Sequence, residues 1–444
     1  MGSHFARIVS RDTLDCHMRF SRRRFLQAGT TAAAAAVVPS ASAQDCNAKL
    51  PPSIASLKSW KDQAVPITVD ERKTRVERAR ELMAQNKLQA IAVAAGSSLP
   101  YYSGVRWWTS ERFFAMILPA KGKAFFVCPA FEEGRAREQI SLGPFGAAAE
   151  VRTWQENEDP YQRVADGLKD LGITTGVLGI EEKTSFVFSN GMALHLPAMQ
   201  TASATSVTAG CRMIKSQHEL ALMRLASKVS ITAYAAAYNA LHDGMTQDEF
   251  SSLVETAHSK LGSHGGADVQ VGAYSAAPHG SIAPQTIKEG EIVLMDGGGT
   301  VEGYTSDISR TFVLGKPTDK MKKVFDIVYQ AQSAALSTAR PGLPCEAVDA
   351  AARKVVIDNG YGPGFKYFTH RVGHGMGLDG HEWPYLVPGN TTPLQANMVF
   401  SDEPGIYIPG EFGVRIEDDM HITADGAELF TPRSPSLEHP FGTA

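Results

Sequence analysis

Met295–Phe312 reads MDGGGTVEGYTSDISRTF, with two aspartates, Asp296 and Asp307, eleven positions apart. The apolar run IVLM leading into Asp296 and the alternating DISRTF after Asp307 predict two paired strands joined by a glycine-rich turn. Turn chemistry alone accounts for Asp and Gly at such a place. Two carboxylates delivered by neighbouring strands also suit a cation, and the rest of the chain decides between these readings.

The chain has 444 residues, 43% hydrophobic and 20% charged, with a formal net charge of -4. That length holds two or more domains, and the composition is that of an ordinary globular protein. The charge supplies no basic field for nucleic acid. From Ser21 the sequence SRRRFLQAGTTAAAAAVVPSASAQ has paired arginines, Phe25-Leu26, an Ala-rich run and a small-x-small ending at Ala43. Residues 1–43 therefore resemble a twin-arginine export signal, with MGSH as an added leader, Met18 as a start and a periplasmic or secreted destination. The apolar run is too short and weak to span a bilayer stably. Cys46, Cys128, Cys211 and Cys345 are scattered without a CxxC pair. They suggest neither a zinc knuckle nor a disulfide framework, and a single disulfide stays open.

Residues 44–205 alternate helix and strand patterns: DERKTRVERARELMAQNKLQ, AIAVAAG, the hairpin FFAMILPAKGKAFFVCP, DPYQRVADGLKDLG and GVLGIEE. This is a compact α/β domain. The small, polar QTASATSVTAGC marks its end. Residues 206–444 open with two capping boxes, Ser216 with Glu219 and Thr246 with Glu249, each ahead of a helical pattern. The Asp-bearing strands follow, then helices near DKMKKVFDIVYQAQSAALSTA and PCEAVDAAARKVVIDNG, then a Gly-rich, strand-like tail. Helices followed by antiparallel strands predict an α+β second domain.

The tail holds THRVGHGMGLDGHEWPYL, with His370, His374 and His381, and SDEPGIYIPGEFGVRIEDD, with Glu403 and Glu417. Singly, each has a plain explanation: Asp296 as a turn residue, Asp307 beside Arg310, Glu403 capping a turn, Glu417 pairing with Arg415. The HE of His381-Glu382 is not the HExxH pattern of zinc proteases. Together, Asp296, Asp307, His374, Glu403 and Glu417 are one imidazole and four carboxylates, a donor set for two divalent ions. The hard oxygen ligands suit manganese, and the imidazole also admits cobalt, zinc or iron.

In order and spacing, these three motifs resemble the pita-bread metallopeptidases, above all prolidases and aminopeptidases P. The resemblance spans most of 206–430, with a creatinase-type N-terminal domain ahead of it. It implies a dinuclear site in which Asp296 chelates one metal, His374 and Glu403 hold the other, and Asp307 and Glu417 bridge. It further implies that His381 stabilises the oxyanion and that Glu403 carries a proton to the leaving nitrogen. His279, in AAPHGSIAP, and His370 would hold the proline side, with Arg415 beside the last ligand. The implied reaction is hydrolysis of the Xaa-Pro bond in dipeptides or short peptides, by a homodimer. A same-fold hydrolase or lyase acting on another small substrate, and a binding module without catalysis, are the rival readings. All five ligands are present, against both the metal-free members and the binding module. YYSGVRWWTSERFF, with Arg106, Trp107 and Trp108, reads either as pocket or partner-site lining or as core.

Overall fold

A computed structural model describes residues 50–442; the export-signal reading and Cys46 lie outside them. The first domain is built on strands β1 (Ala90–Ala94), β2 (Ala115–Pro119), β3 (Phe125–Pro129), β4 (Glu150–Trp154), β5 (Gly176–Ile180) and β6 (Met199–Ser203). They form one mixed sheet in the order β4-β3-β2-β1-β5-β6. The central strands are continuous apolar runs because both faces are covered. On one face Ile91, Val93, Met116 and Phe126 meet Val76 and Met83 of the helix Val69–Gln85. On the other, Ala92, Ile117, Phe125 and Val127 meet Val164 and Leu168 of the helix Pro160–Asp170. The Thr68–Glu71 capping box starts the first of these helices just ahead of Asp70.

The stretch QTASATSVTAGC is itself regular structure. It forms the edge strand β6 and the helix Thr205–Arg212, whose Val207 and Cys211 enter the first core. Its small residues permit that approach: a Cβ on Gly210 would stand 3.2 Å from Leu82. Cys128, Cys211 and Cys345 are buried free thiols. Trp107 is in the core, stacked on Phe114 at 4.2 Å, whereas Trp108 is half exposed.

In the second domain both predicted capping boxes form, opening the helices Gln217–Tyr238 and Gln247–Leu261. These cover an antiparallel sheet of β7 (His264–Val271), β8 (Ile292–Val301), β9 (Tyr304–Thr305) and β10 (Ile308–Val313), ordered β10-β8-β7 with β9 on β8. Tyr234, Phe250 and Val254 pack on Val269, Met295 and Phe312. A second antiparallel sheet contains β11 (Gly373–Gly375), β12 (Glu382–Leu386), β13 (Val399–Asp402), β16 (Asp418–Ile422) and β17 (Ala427–Leu429). Between β13 and β16 the chain makes a hairpin, β14 (Gly405–Ile408) with β15 (Phe412–Arg415). The helices Asp319–Thr338 and Cys345–Asp358 join this half in one core through Val328, Val348, Val356, Phe400 and Met420.

One local expectation fails. Gly297–Gly299 are strand residues, and the chain reverses at Glu302-Gly303, where Glu302 takes φ 51° and Gly303 φ 90°. The three glycines serve close approach instead. A Cβ on Gly298 would sit 1.8 Å from the Ser306 carbonyl oxygen, and one on Gly299 2.6 Å from the His258 ring. Among the described residues, no helix is long and apolar enough to cross a membrane.

Candidate metal centre and active site

The two sheets meet at a cavity of about 150 Å³ lined by Pro278, His279, Asp296, Asp307, His370, Arg371, His374, His381, Glu403, Arg415 and Glu417. Asp296 comes from within β8, Asp307 from the residue before β10, His374 from β11, Glu403 from just after β13, and Glu417 from between β15 and β16. Five separate segments thus present their side chains to one point. Ligand atoms of Asp296, Asp307 and Glu417 lie within 4.8 Å of one another, as do those of His374, Glu403 and Glu417. Glu417 is common to both groups. Asp307, His374 and His381 form a third such group.

Hydrogen bonds aim each of these groups. Nδ1 of His374 is 3.1 Å from the Gly375 carbonyl oxygen. A carbonyl only accepts, so Nδ1 carries the ring proton and Nε2 keeps its lone pair. That lone pair points at acids: Nε2 is 3.4 Å from Glu403 Oε1 and 3.7 Å from Asp307 Oδ2. Burial, then the neighbouring His381, push His374 down to about 3, so the ring is neutral. Ser309 Oγ accepts from Arg415 Nε at 2.8 Å and lies 2.7 Å from Asp296 Oδ1 and 2.6 Å from Glu417 Oε2. Its single proton serves one of the two carboxylates at a time. Asp419 accepts from the Asp307 backbone N–H at 3.0 Å and from Ser227 at 2.5 Å, which orients Asp307 from behind.

The electrostatics fit a cation. Burial and the surrounding acids raise Asp307 and Glu417 well above the usual carboxylate range, and burial raises Glu403 to about 8. Burial also works to raise Asp296, but the Arg415 guanidinium 2.7 Å away holds it low. Four carboxylates and an imidazole lone pair therefore face one another around a single guanidinium engaged with them. Separations of 3.4–3.7 Å between donor atoms are also those left by a shared ion with bonds of about 2 Å.

The remaining sequence-predicted residues divide. His279 is exposed at the rim, and His381 stacks on His374 with ring centroids 3.6 Å apart. His370 and Arg415 line the cavity but are occupied. His370 Nδ1 donates to the Arg371 carbonyl at 2.8 Å, and Nε2 accepts from the Tyr407 hydroxyl at 2.7 Å. Tyr407 in turn accepts from Arg415 Nη1 at 2.7 Å. A direct grip of His370 on substrate would break one of these bonds. The plain pairing of Asp307 with Arg310 is absent: Arg310 turns to the opposite side and pairs with Asp418 at 2.6 Å. Ser309, Tyr407, Asp419 and Arg371 were not singled out from sequence. Only Arg371 offered a signal, as a cation inside the THRVGHG motif.

Trp107 and Trp108 border a separate cavity with Arg106, Glu302 and Leu378.

Residues 221–424 match metallopeptidase family M24, and residues 75–214 match the creatinase/prolidase N-terminal domain. The Xaa-Pro dipeptidase of Lactobacillus delbrueckii subsp. lactis is 32% identical over 370 residues, covering 82% of this chain and 98% of the relative. Among solved structures, dipeptidase PepE from Mycobacterium ulcerans superposes with a TM-score of 0.78 at 33% identity, over 84% of this chain and 99% of that one. The prolidase of Thermococcus sibiricus gives 0.73 at 31% identity, over 81% and 96%. The chain thus belongs to metallopeptidase family M24, a pita-bread domain behind a creatinase-type N-terminal domain, and is a metal-dependent peptidase.

Proposed function

We propose that the protein is an Xaa-Pro dipeptidase that works with two divalent ions, manganese foremost. The observation that carries the metal site is the His374 Nε2 lone pair set against Glu403 and Asp307, an arrangement whose repulsion only a proton or a cation relieves. The Xaa-Pro preference is supported by the relatives named for it, and the dipeptide preference by dipeptidase relatives and a small cavity. Arg371 lines that cavity with its guanidinium 4.3 Å above the Tyr385 ring. It suits the carboxylate that a dipeptide, unlike a longer peptide, places next to proline.

Asp296 would hold the first ion and His374 with Glu403 the second, with Asp307 and Glu417 shared. Such ions supply Lewis acidity, polarising the scissile carbonyl and acidifying a water. The chain's own groups do the rest. Glu403, steadied by Ser401 at 3.1 Å, takes the water's proton and delivers it to the proline nitrogen, which must be protonated to leave. His381 donates to the oxygen that becomes negative as the carbonyl carbon turns tetrahedral. His279 closes the proline side of the rim. The Tyr407–Arg415 chain keeps His370 and Asp296 in register.

Metal-stripped protein given manganese, cobalt or zinc should hydrolyse Ala-Pro and leave Ala-Pro-Ala and Ala-Ala intact. Cleavage of the tripeptide would replace this reading by aminopeptidase P. Turnover of neither, with two ions bound, would favour another small substrate on the same fold. The reading includes a homodimer, tested by sedimentation. It also includes export, supported by the sequence alone: Arg22→Lys with Arg23→Lys should retain the protein in the cytoplasm.

A further inference from the structure

His381 ends the loop 376–381 between β11 and β12, and two acids flank it, Asp379 in the loop and Glu382 at the start of β12. Both turn away from the cavity and into the first domain. Arg212 Nη2 lies 2.7 Å from Asp379 Oδ2 and also bonds Glu382 Oε1. Glu382 Oε1 accepts the Asp379 backbone N–H at 3.0 Å, closing the loop on itself. Around this fork, Ser97 Oγ donates to Asp379 Oδ1 at 2.5 Å, and Lys183 Nζ reaches Asp379 Oδ2 at 2.7 Å. Lys215 Nζ stands 3.8 Å from Glu382 Oε2. Arg212 is 5% exposed, Lys215 3% and Glu382 7%. On its other side the loop is gripped by Thr305, whose N–H and hydroxyl donate to the Gly377 carbonyl at 2.8 and 3.0 Å.

Burying this much charge at a domain junction is costly, and a well-packed apolar contact would hold two domains at least as firmly. What an apolar contact lacks is direction. One guanidinium nitrogen, Nη2, donates to the carboxylates on either side of His381, while Nη1 is anchored on Ser98 Oγ at 3.1 Å, so both flanks of that residue are tied to one fixed point. The imidazole consequently stays stacked on His374, 3.6 Å away, with its edge toward the cavity.

We propose that Arg212, a residue of the first domain that does not line the cavity, is a positioning residue acting through His381. The first domain then shapes the reaction as well as covering the site. This inference rests on His381 acting on substrate as described above.

The test compares Arg212→Gln and Arg212→Lys, each alone and combined with His381→Ala, in the metal-loaded full chain. With Ala-Pro, Arg212→Gln should lower kcat about 10- to 100-fold, the scale of a small misplacement of a reacting group, with KM and metal content nearly unchanged. Arg212→Lys should restore part of the loss. In the His381→Ala background the Arg212→Gln effect should vanish, because the group it positions is gone. A full further loss there would overturn the proposal and leave Arg212 a domain fastener. An independent readout uses the metal-free protein: Arg212→Gln should speed carbethoxylation of His381 by diethyl pyrocarbonate several-fold, read by peptide mass. An unchanged rate would also overturn it. If wild type cleaves no Xaa-Pro peptide, the substrate reading fails while the labelling result still judges the positioning. Asp379→Asn, which keeps shape and weakens the fork, should reproduce the pattern in milder form if Arg212→Gln does not fold.

Discussion

Two sets of buried carboxylates lie back to back in the second domain, and the contrast between them separates structure from function. Ser309 and Glu417 face the cavity, while their neighbours Arg310 and Asp418 face the opposite side, as alternation along extended chain requires. The Arg310–Asp418 pair is wholly buried at 2.6 Å. The Arg310 Nη groups donate to Ser309 O, Glu417 O, Asp418 Oδ1 and Pro432 O, and Thr431 and Gln332 complete Asp418. Within that pair the charges balance, and the neighbouring buried Asp402 is pushed well above the usual carboxylate range by burial and by Asp418. Across the strand, Asp296, Asp307, Glu403 and Glu417 share Arg415 and a neutral imidazole. One face of the same strands is a closed ion pair; the other is short of positive charge.

The sharpest way to break this comparison is Asp296→Ala. Activity should fall about a thousandfold or more, roughly 4 kcal/mol of transition-state stabilisation, with bound metal dropping below two per chain. Full turnover with two ions retained would sink the site assignment. Arg310→Met acts on the other face. It strands the Asp418 charge and should cost about 3–5 kcal/mol of stability, read by denaturant unfolding, whereas Asp307→Asn in metal-free protein should cost little or add stability. If the two variants destabilise equally, the contrast between balanced and unbalanced acids is wrong.

Ser309→Ala removes the hydroxyl shared by Asp296, Glu417 and Arg415, and metal affinity should weaken about 10- to 100-fold. Competitive chelator titration would show it, and an unchanged affinity would make Ser309 mere packing. The smallest effect is in pH. Glu403 is raised to about 8 in the folded, metal-free protein, and an acid raised on folding contributes stability at low pH that is lost as pH climbs to the folded value. The metal-free melting temperature should therefore decline from about pH 5 to 8, and divalent ions should reverse that decline. A melting temperature that rises over this range without metal would contradict the anion excess.

Much of the fold was legible because its signals are local. Ser216 with Glu219 and Thr246 with Glu249 form the boxes their spacing implies, since a cap depends on four consecutive residues. The Gly297–Gly299 expectation failed because glycine serves both turns and close packing. Only the approach of Ser306 and His258 selects the second role. QTASATSVTAGC read only as the small, polar end of the first domain, and its strand and helix show once the sheet and Leu82 are placed against it.

The sequence by itself supplied the candidate donor set, Asp296, Asp307, His374, Glu403 and Glu417, because ligand chemistry belongs to residue type, and the structure brings these residues together. It also determined the helices and their starts, and the resemblance that led to the family. Only the tertiary structure decided which carboxylates are balanced and which await a cation, since that depends on burial and on what stands opposite each oxygen. It likewise decided that His370 and Arg415 are tied up through Tyr407, and that Arg212 reaches across the domains to the loop of His381. Contacts between side chains carried by different strands, loops and domains are set by packing, and no local pattern encodes them.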